Sequence, residues 1–138
     1  MPMSGSEAAV LFGGVLSLGM FLFHLGFPKL FAWERDLKSV SESGCGILQT
    51  IHLALLLLFL LFGMISLLYC KELARCHGLA FGVCLFYSLF WLWRMVWQIV
   101  YFHPSGKRHV WLHRVLIAVF LVLWLAYALP VVGVLMGS

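Results

Sequence analysis

The sequence predicts an all-α, polytopic membrane protein: residues 1–138 form one domain, an antiparallel four-helix transmembrane bundle. Three observations carry this reading. Hydrophobic residues make up 64% of the chain and charged residues 10%, with mean hydropathy +1.06. A soluble domain carries ~25% charged residues, so there is too little polar surface here to enclose a water-soluble core. Four apolar stretches reach the ~20 residues with which a helix crosses a ~30 Å hydrocarbon layer. Within each stretch, small and polar residues recur at spacings of three and four, the signature of one helix face. Nothing alternates with period two, which excludes transmembrane strands. The composition also excludes a soluble enzyme, a disordered chain and a disulfide-stapled secreted scaffold.

The first span is expected over residues 8–27, closed by Pro28. It reads as a retained span and not a cleaved leader, because Met1 to Glu7 has no basic residue and the apolar run exceeds a signal core. Pro28 to Val40 forms either a short interfacial helix, with Pro28 in its first turn, or a connecting loop anchored by Trp33. Ser41 to Gly46, with two glycines, reads as the turn before the second span. That span covers residues 46–69 and holds the unbroken run Leu55 to Phe62. The third covers residues 79–102 and alone carries a charge away from its ends, Arg94. The fourth covers residues 113–134, with a kink expected at Pro130.

Basic residues orient the spans. Lys29, Arg35, Lys38, Lys107, Arg108 and Arg114 belong to the first and third loops, whereas the opposite side has only Lys71 and Arg75. The excess of basic residues on one side places the first and third loops in the cytoplasm and both termini outside a cell membrane. The net charge of +4 lies mostly on that cytoplasmic face and suits anionic lipid head groups. No basic tract interleaved with aromatics points to nucleic acid. Of the four cysteines, Cys45 reads as a loop thiol and Cys84 as a small buried hydrophobe. Cys70 and Cys76 bracket the short outer loop and either pair across it or remain free.

Polar and small residues inside membrane helices face protein. The expected inward stripes are Ala9, Gly13, Ser17, Met20 and His24 in the first span, and Gln49, His52, Leu56, Gly63 and Ser66 in the second. The third offers Cys84, Tyr87, Trp91, Arg94, Gln98 and Tyr101, and the fourth His109, His113, Phe120, Trp124 and Tyr127. Alternate helices run in opposite directions, so His24, His52 and His113 should share the cytoplasmic end with Gln49, Gln98, Tyr101, His103 and His109. His103, His109 and His113 can also be read as residues placed among lipid head groups. His77 alone among the histidines belongs to the other end.

Arg94 is the sharpest feature. It lies about eight residues before the end of its span, roughly 12 Å into the membrane at 1.5 Å per residue. A charge near mid-bilayer costs ~2.5–3.5 kcal/mol on insertion scales. No Asp or Glu occurs in any span to neutralise it. Arg94 therefore snorkels toward head groups, reaches backbone carbonyls, or meets an anion supplied by a ligand, a lipid, a loop acid such as Glu34 or Asp36, or a partner chain.

No hydrolytic or nucleotide-binding motif is present, and a serine–histidine pair has no acid to orient the imidazole, so the balance is against an enzyme. Three binding chemistries remain open. Haem b can be ligated by two of His24, His52 and His113, with Arg94 near a propionate and Trp91 or Trp124 against the ring. A quinone can accept hydrogen bonds from Arg94 and Gln98. A metal can sit among the three histidines, and His109 with His113 has an i, i+4 metal-binding spacing. Against these stands the leading expectation, a non-catalytic subunit or assembly component of a larger membrane complex, partnered by other membrane subunits or by copies of itself in the lipid bilayer. An oligomeric channel or transporter is the remaining class.

Phe27-Pro28-Lys29-Leu30-Phe31-Ala32-Trp33, then Asp36-Leu37, then Phe90-Trp91-Leu92-Trp93-Arg94 with Gln98, resembles small four-span bacterial membrane proteins of unassigned function. The resemblance spans roughly residues 27–102. It implies that Arg94 and Gln98 act as a unit and implies no activity.

Overall fold

The computed structural model describes residues 2–137. Helix α1 (Gly5–Leu25) begins with a capping box: Glu7 N–H donates to Ser4 Oγ at 3.1 Å and Ser4 N–H to the Glu7 carboxylate at 3.3 Å. It ends at Leu25, two residues short of the expected end, with Gly26 as its C-cap. Two single-turn helices follow, α2 (Phe27–Leu30) and α3 (Trp33–Asp36), and then a 3-10 turn over Leu37–Ser39. Between them Ala32 has φ 49°, in the left-handed region. A right-handed helix cannot pass through that conformation, so Pro28 to Val40 is neither one interfacial helix nor a plain loop. Pro28 does sit in the first turn of α2.

Helix α4 (Glu42–Leu68) starts earlier than the glycines suggested, because Ser41 Oγ accepts the Gly44 N–H and caps it. The short α5 (Cys70–Arg75) leads to α6 (Leu79–Tyr101). Helix α7 (Lys107–Gly137) begins six residues before its expected span and continues unbroken through the buried Pro130. Among these, α1, α4, α6 and α7 are long and apolar enough to cross a membrane. Their outward positions are occupied by exposed leucines and other large apolar side chains, such as Leu22, Leu53, Leu57, Leu89 and Leu129.

Helix α1 packs against α4 and α7, and α7 packs against α6. Small residues set the closest approach. A Cβ on Gly14 would lie 2.9 Å from Ser66 Cβ, and one on Gly63 would lie 2.5 Å from the Leu18 side chain. Only glycine lets the two backbones come this near, the close approach that small residues give to apolar helices. At its far end α1 meets α4 again, with the His24 and His52 rings 6.3 Å apart. Gly13 abuts Ala126 and Tyr127 of α7.

Helices α4 and α6 meet differently, through rings. Phe62 stacks on Tyr87 with centroids 3.8 Å apart, and Phe59 stacks on Trp91 at 5.4 Å. Trp91 is fully buried between Phe59 and Phe120, the latter at 5.8 Å. Mid-bundle polar groups are satisfied inside the protein, as a dry interior requires. The Ser66 and Tyr127 hydroxyls lie 2.7 Å apart, and Ser17 Oγ donates to Gly13 O at 2.8 Å. Among the described residues, the one buried side-chain N or O atom without a partner is Trp91 Nε1.

A second apolar cluster, including Val10, Leu73, Cys76, Cys84 and Val131, fills the end nearest α5. All four cysteines are free thiols. Cys70 Sγ donates to Glu7 O at 3.3 Å, and burial raises the Cys70 and Cys76 thiols above the ordinary value. Three expected inward residues, Gln49, Tyr101 and His109, are exposed instead. Gln49 is exposed because α4 starts well before His52, the residue level with the last turn of α1, and its first turns overhang that helix. Tyr101 is 61% exposed and stacks on its own-helix neighbour Trp97 at 4.0 Å.

Candidate functional site

The last turn of α1, the end of α6 and the first half of α7 converge beneath α2 and the 102–106 connection. His24, the last inward residue of the α1 stripe, is 5% exposed. Its Nδ1–H donates to Met20 O at 3.0 Å, one turn back, which leaves Nε2 as the free ring nitrogen. The imidazole is held between Phe27, nearly parallel at 5.1 Å, and Phe59 at 4.7 Å. His52 sits on the outer side of that group, 5.0 Å from Trp33 and 6.2 Å from Phe27.

Arg94 and Gln98 are one turn apart on α6 and face α7 together. Gln98 is 3% exposed, and its Nε2 donates to His113 Nδ1 at 3.1 Å. That bond requires the neutral His113 proton on Nε2, so this imidazole presents a donor on its other side. Arg94 is half-buried, with its guanidinium carbon 5.0 Å from the centroid of the Phe120 ring. This is a cation–π contact, which offsets only part of the charge and occupies no N–H. Among the described residues the one ion pair is the exposed Arg35–Asp36 pair at 3.2 Å, so Arg94 has no acid.

These side chains border a cavity of about 290 Å³. Its polar wall consists of Arg94, Gln98, Ser105, His24, His103, His109 and His113, and its apolar wall of phenylalanine rings with Leu112 and Leu116, with no carboxylate among the lining residues. The arrangement gathers the Arg94 N–H groups, the Gln98 amide and the His113 Nε2–H around one partly dry hollow. Chemically it is suited to hold an anion or a strong acceptor, with Arg94 able to offer two parallel N–H groups.

Of the residues singled out from sequence, the structure brings His24, Arg94, Gln98 and His113 to this cavity. His52, Trp91 and Trp124 stay outside its lining. Trp91 acts from beneath, supporting the Phe120 ring on which Arg94 lies. Trp124 is half-buried against the same apolar core. A metal among the three histidines is not supported: among the described residues, no three His, Cys, Asp or Glu side chains group closely enough to hold an ion. His24 and His52 are packed with Phe27, while His113 is tied to Gln98 on the facing wall.

His103 and His109 were expected at this end of the bundle, and His109 and Phe120 on the inward face of the fourth span, but none of the three was singled out as a binding residue. His109 had a usable signal, lying one turn before His113 and therefore on the same face of α7. His103 had only its place at that end, because it sits in a connection whose path the packed helices define. Comparison of the chain with known protein families, with curated proteins and with solved structures finds no match, so the reading of this site rests on its own residues.

Proposed function

We propose that the chain is a small integral membrane protein of four antiparallel spans, non-catalytic, which binds an anionic group in the Arg94 cavity and serves as a subunit or assembly component of a larger membrane complex. The observation that carries this is Arg94 itself: a half-buried guanidinium with no acid among the described residues, in a cavity without a carboxylate. Arginine stays charged in proteins, and a charge kept at this depth marks a site. A neutral carbonyl acceptor would use the donors and leave the charge uncompensated, so an anion is favoured over a quinone. A cavity of about 290 Å³ stands at the low end of the ~300–1,000 Å³ range of ligand pockets. That volume suits one head group better than a porphyrin.

The residue pairings support opposite directions for neighbouring spans. Gly14 meets Ser66 while His24 meets His52, and Tyr87 meets Tyr127 while Gln98 meets His113. The basic residues favour a cytoplasmic position for the cavity end and an outer position for α5 and both termini. In a cysteine-free background, Glu72→Cys should react with an impermeant maleimide on intact cells, and Ser39→Cys only after permeabilisation. The reverse pattern would invert the orientation.

Native mass measurement of protein released from mild detergent tests the binding role. The wild type should carry an anionic small molecule or a partner chain. A bare monomer under conditions that preserve other membrane complexes would overturn the proposal.

A further inference from the structure

The Arg94 cavity has a neighbour. Phe27, Phe31 and Phe102 border it and also border a second hollow of about 330 Å³, walled by Trp33, Leu37, Val40 and Leu48. This second hollow exists because the left-handed Ala32 turns α3 away from the line of α2, leaving a groove between the connection and the start of α4. Its walls are apolar apart from Asp36, whose carboxylate is bonded to Arg35 at 3.2 Å. Val40 and Leu48 are 37% and 40% exposed, so the groove is open to its surroundings on that side.

A basic, donor-rich hollow and an apolar groove thus share a sill of three phenyl rings. A free anion would use only the first, and a neutral hydrocarbon only the second. Resting on the anion-binding reading above, we propose that the ligand is a single-chain anionic amphiphile. Its phosphate or carboxylate head lies against Arg94 and the Gln98–His113 pair. Its alkyl chain crosses Phe27, Phe31 and Phe102 into the groove lined by Leu37, Val40 and Leu48.

Purified protein in a neutral maltoside detergent, titrated calorimetrically with hexyl phosphate and dodecyl phosphate below their micellar concentrations, tests this. Each buried methylene contributes ~4-fold in water, and detergent that also solvates the chain compresses this. Dodecyl phosphate should still bind at least about 30-fold more tightly than hexyl phosphate. Leu48→Trp, which fills the groove from an exposed position, should erase that preference and leave hexyl phosphate binding unchanged. Arg94→Gln should weaken both phosphates. If the two phosphates bind alike and Leu48→Trp changes nothing while Arg94→Gln weakens both, the chain assignment fails and the anion site stands. If Arg94→Gln changes neither, the anion site fails as well. Competition by dodecanol or decylubiquinone equal to that of dodecyl phosphate overturns the requirement for a charged head.

Discussion

Trp91→Ala is expected to destabilise the bundle by about 3–5 kcal/mol, the range for removing a fully buried tryptophan. Trp91 is 0% exposed and stacks between Phe59 and Phe120, so the vacated volume is bounded by rings on both sides. Lipid tails provide no hydrophobic drive between helices, and the loss is therefore one of packing contacts between α4, α6 and α7. Those contacts are hard to replace, because α4 and α6 meet mainly through these rings and a shift of either helix would open the Phe62–Tyr87 stack. Trp91→Phe is expected to cost far less. It keeps a ring in the stack and removes the indole N–H, which has no partner and whose burial costs about 1–3 kcal/mol. Thermal unfolding in detergent, followed by size-exclusion of the heated protein, reads both variants. Equal melting of Trp91→Ala and wild type would refute the role of the stack.

Arg94→Gln is expected to lower affinity for an anionic ligand about 100-fold, within the ~2–5 kcal/mol range for truncating one member of a buried charge pair. The same substitution should leave the ligand-free fold equally stable or more stable. Wild-type Arg94 carries the desolvation of a charge that no acid among the described residues offsets, and glutamine, about two bonds shorter, keeps a polar tip and carries no charge. Loss of binding with retained stability separates a ligand site from a structural contact, for which both would fall together. Arg94→Lys should restore binding only in part, since an ammonium keeps the charge and loses the two-pronged geometry. It should also weaken the contact with Phe120, whose ring now receives a flat guanidinium at 5.0 Å. Full restoration by lysine would show that charge alone is read. Unchanged binding in Arg94→Gln would mean that the residue merely reaches toward the head groups.

The all-helical class and the four long apolar helices were legible from composition and period, because a helix satisfies its backbone within one segment and writes its pattern locally along the chain. The same local logic located the small-residue stripe of α1 and the Arg94–Gln98 face of α6, since a spacing of three or four needs no knowledge of the partner. Helix ends were less legible. Ser41 capping α4 over two glycines, and Ala32 adopting φ 49°, are settled by hydrogen bonds and packing at those points.

What remained for tertiary structure was which stripe meets which. Gly14 fitting against Ser66 draws α1 onto α4, and the bulk of Phe59, Phe62, Tyr87 and Trp91 bridges α4 to α6. These are matters of shape between segments distant in sequence, and no periodicity encodes them. They place Phe120 beneath Arg94, join Gln98 to His113 and leave a hollow between. The sequence determined that a charge would be buried without an acid in its own spans. Packing alone decided that this charge would face a cavity, because a cavity is the volume several helices leave unfilled and belongs to none of them.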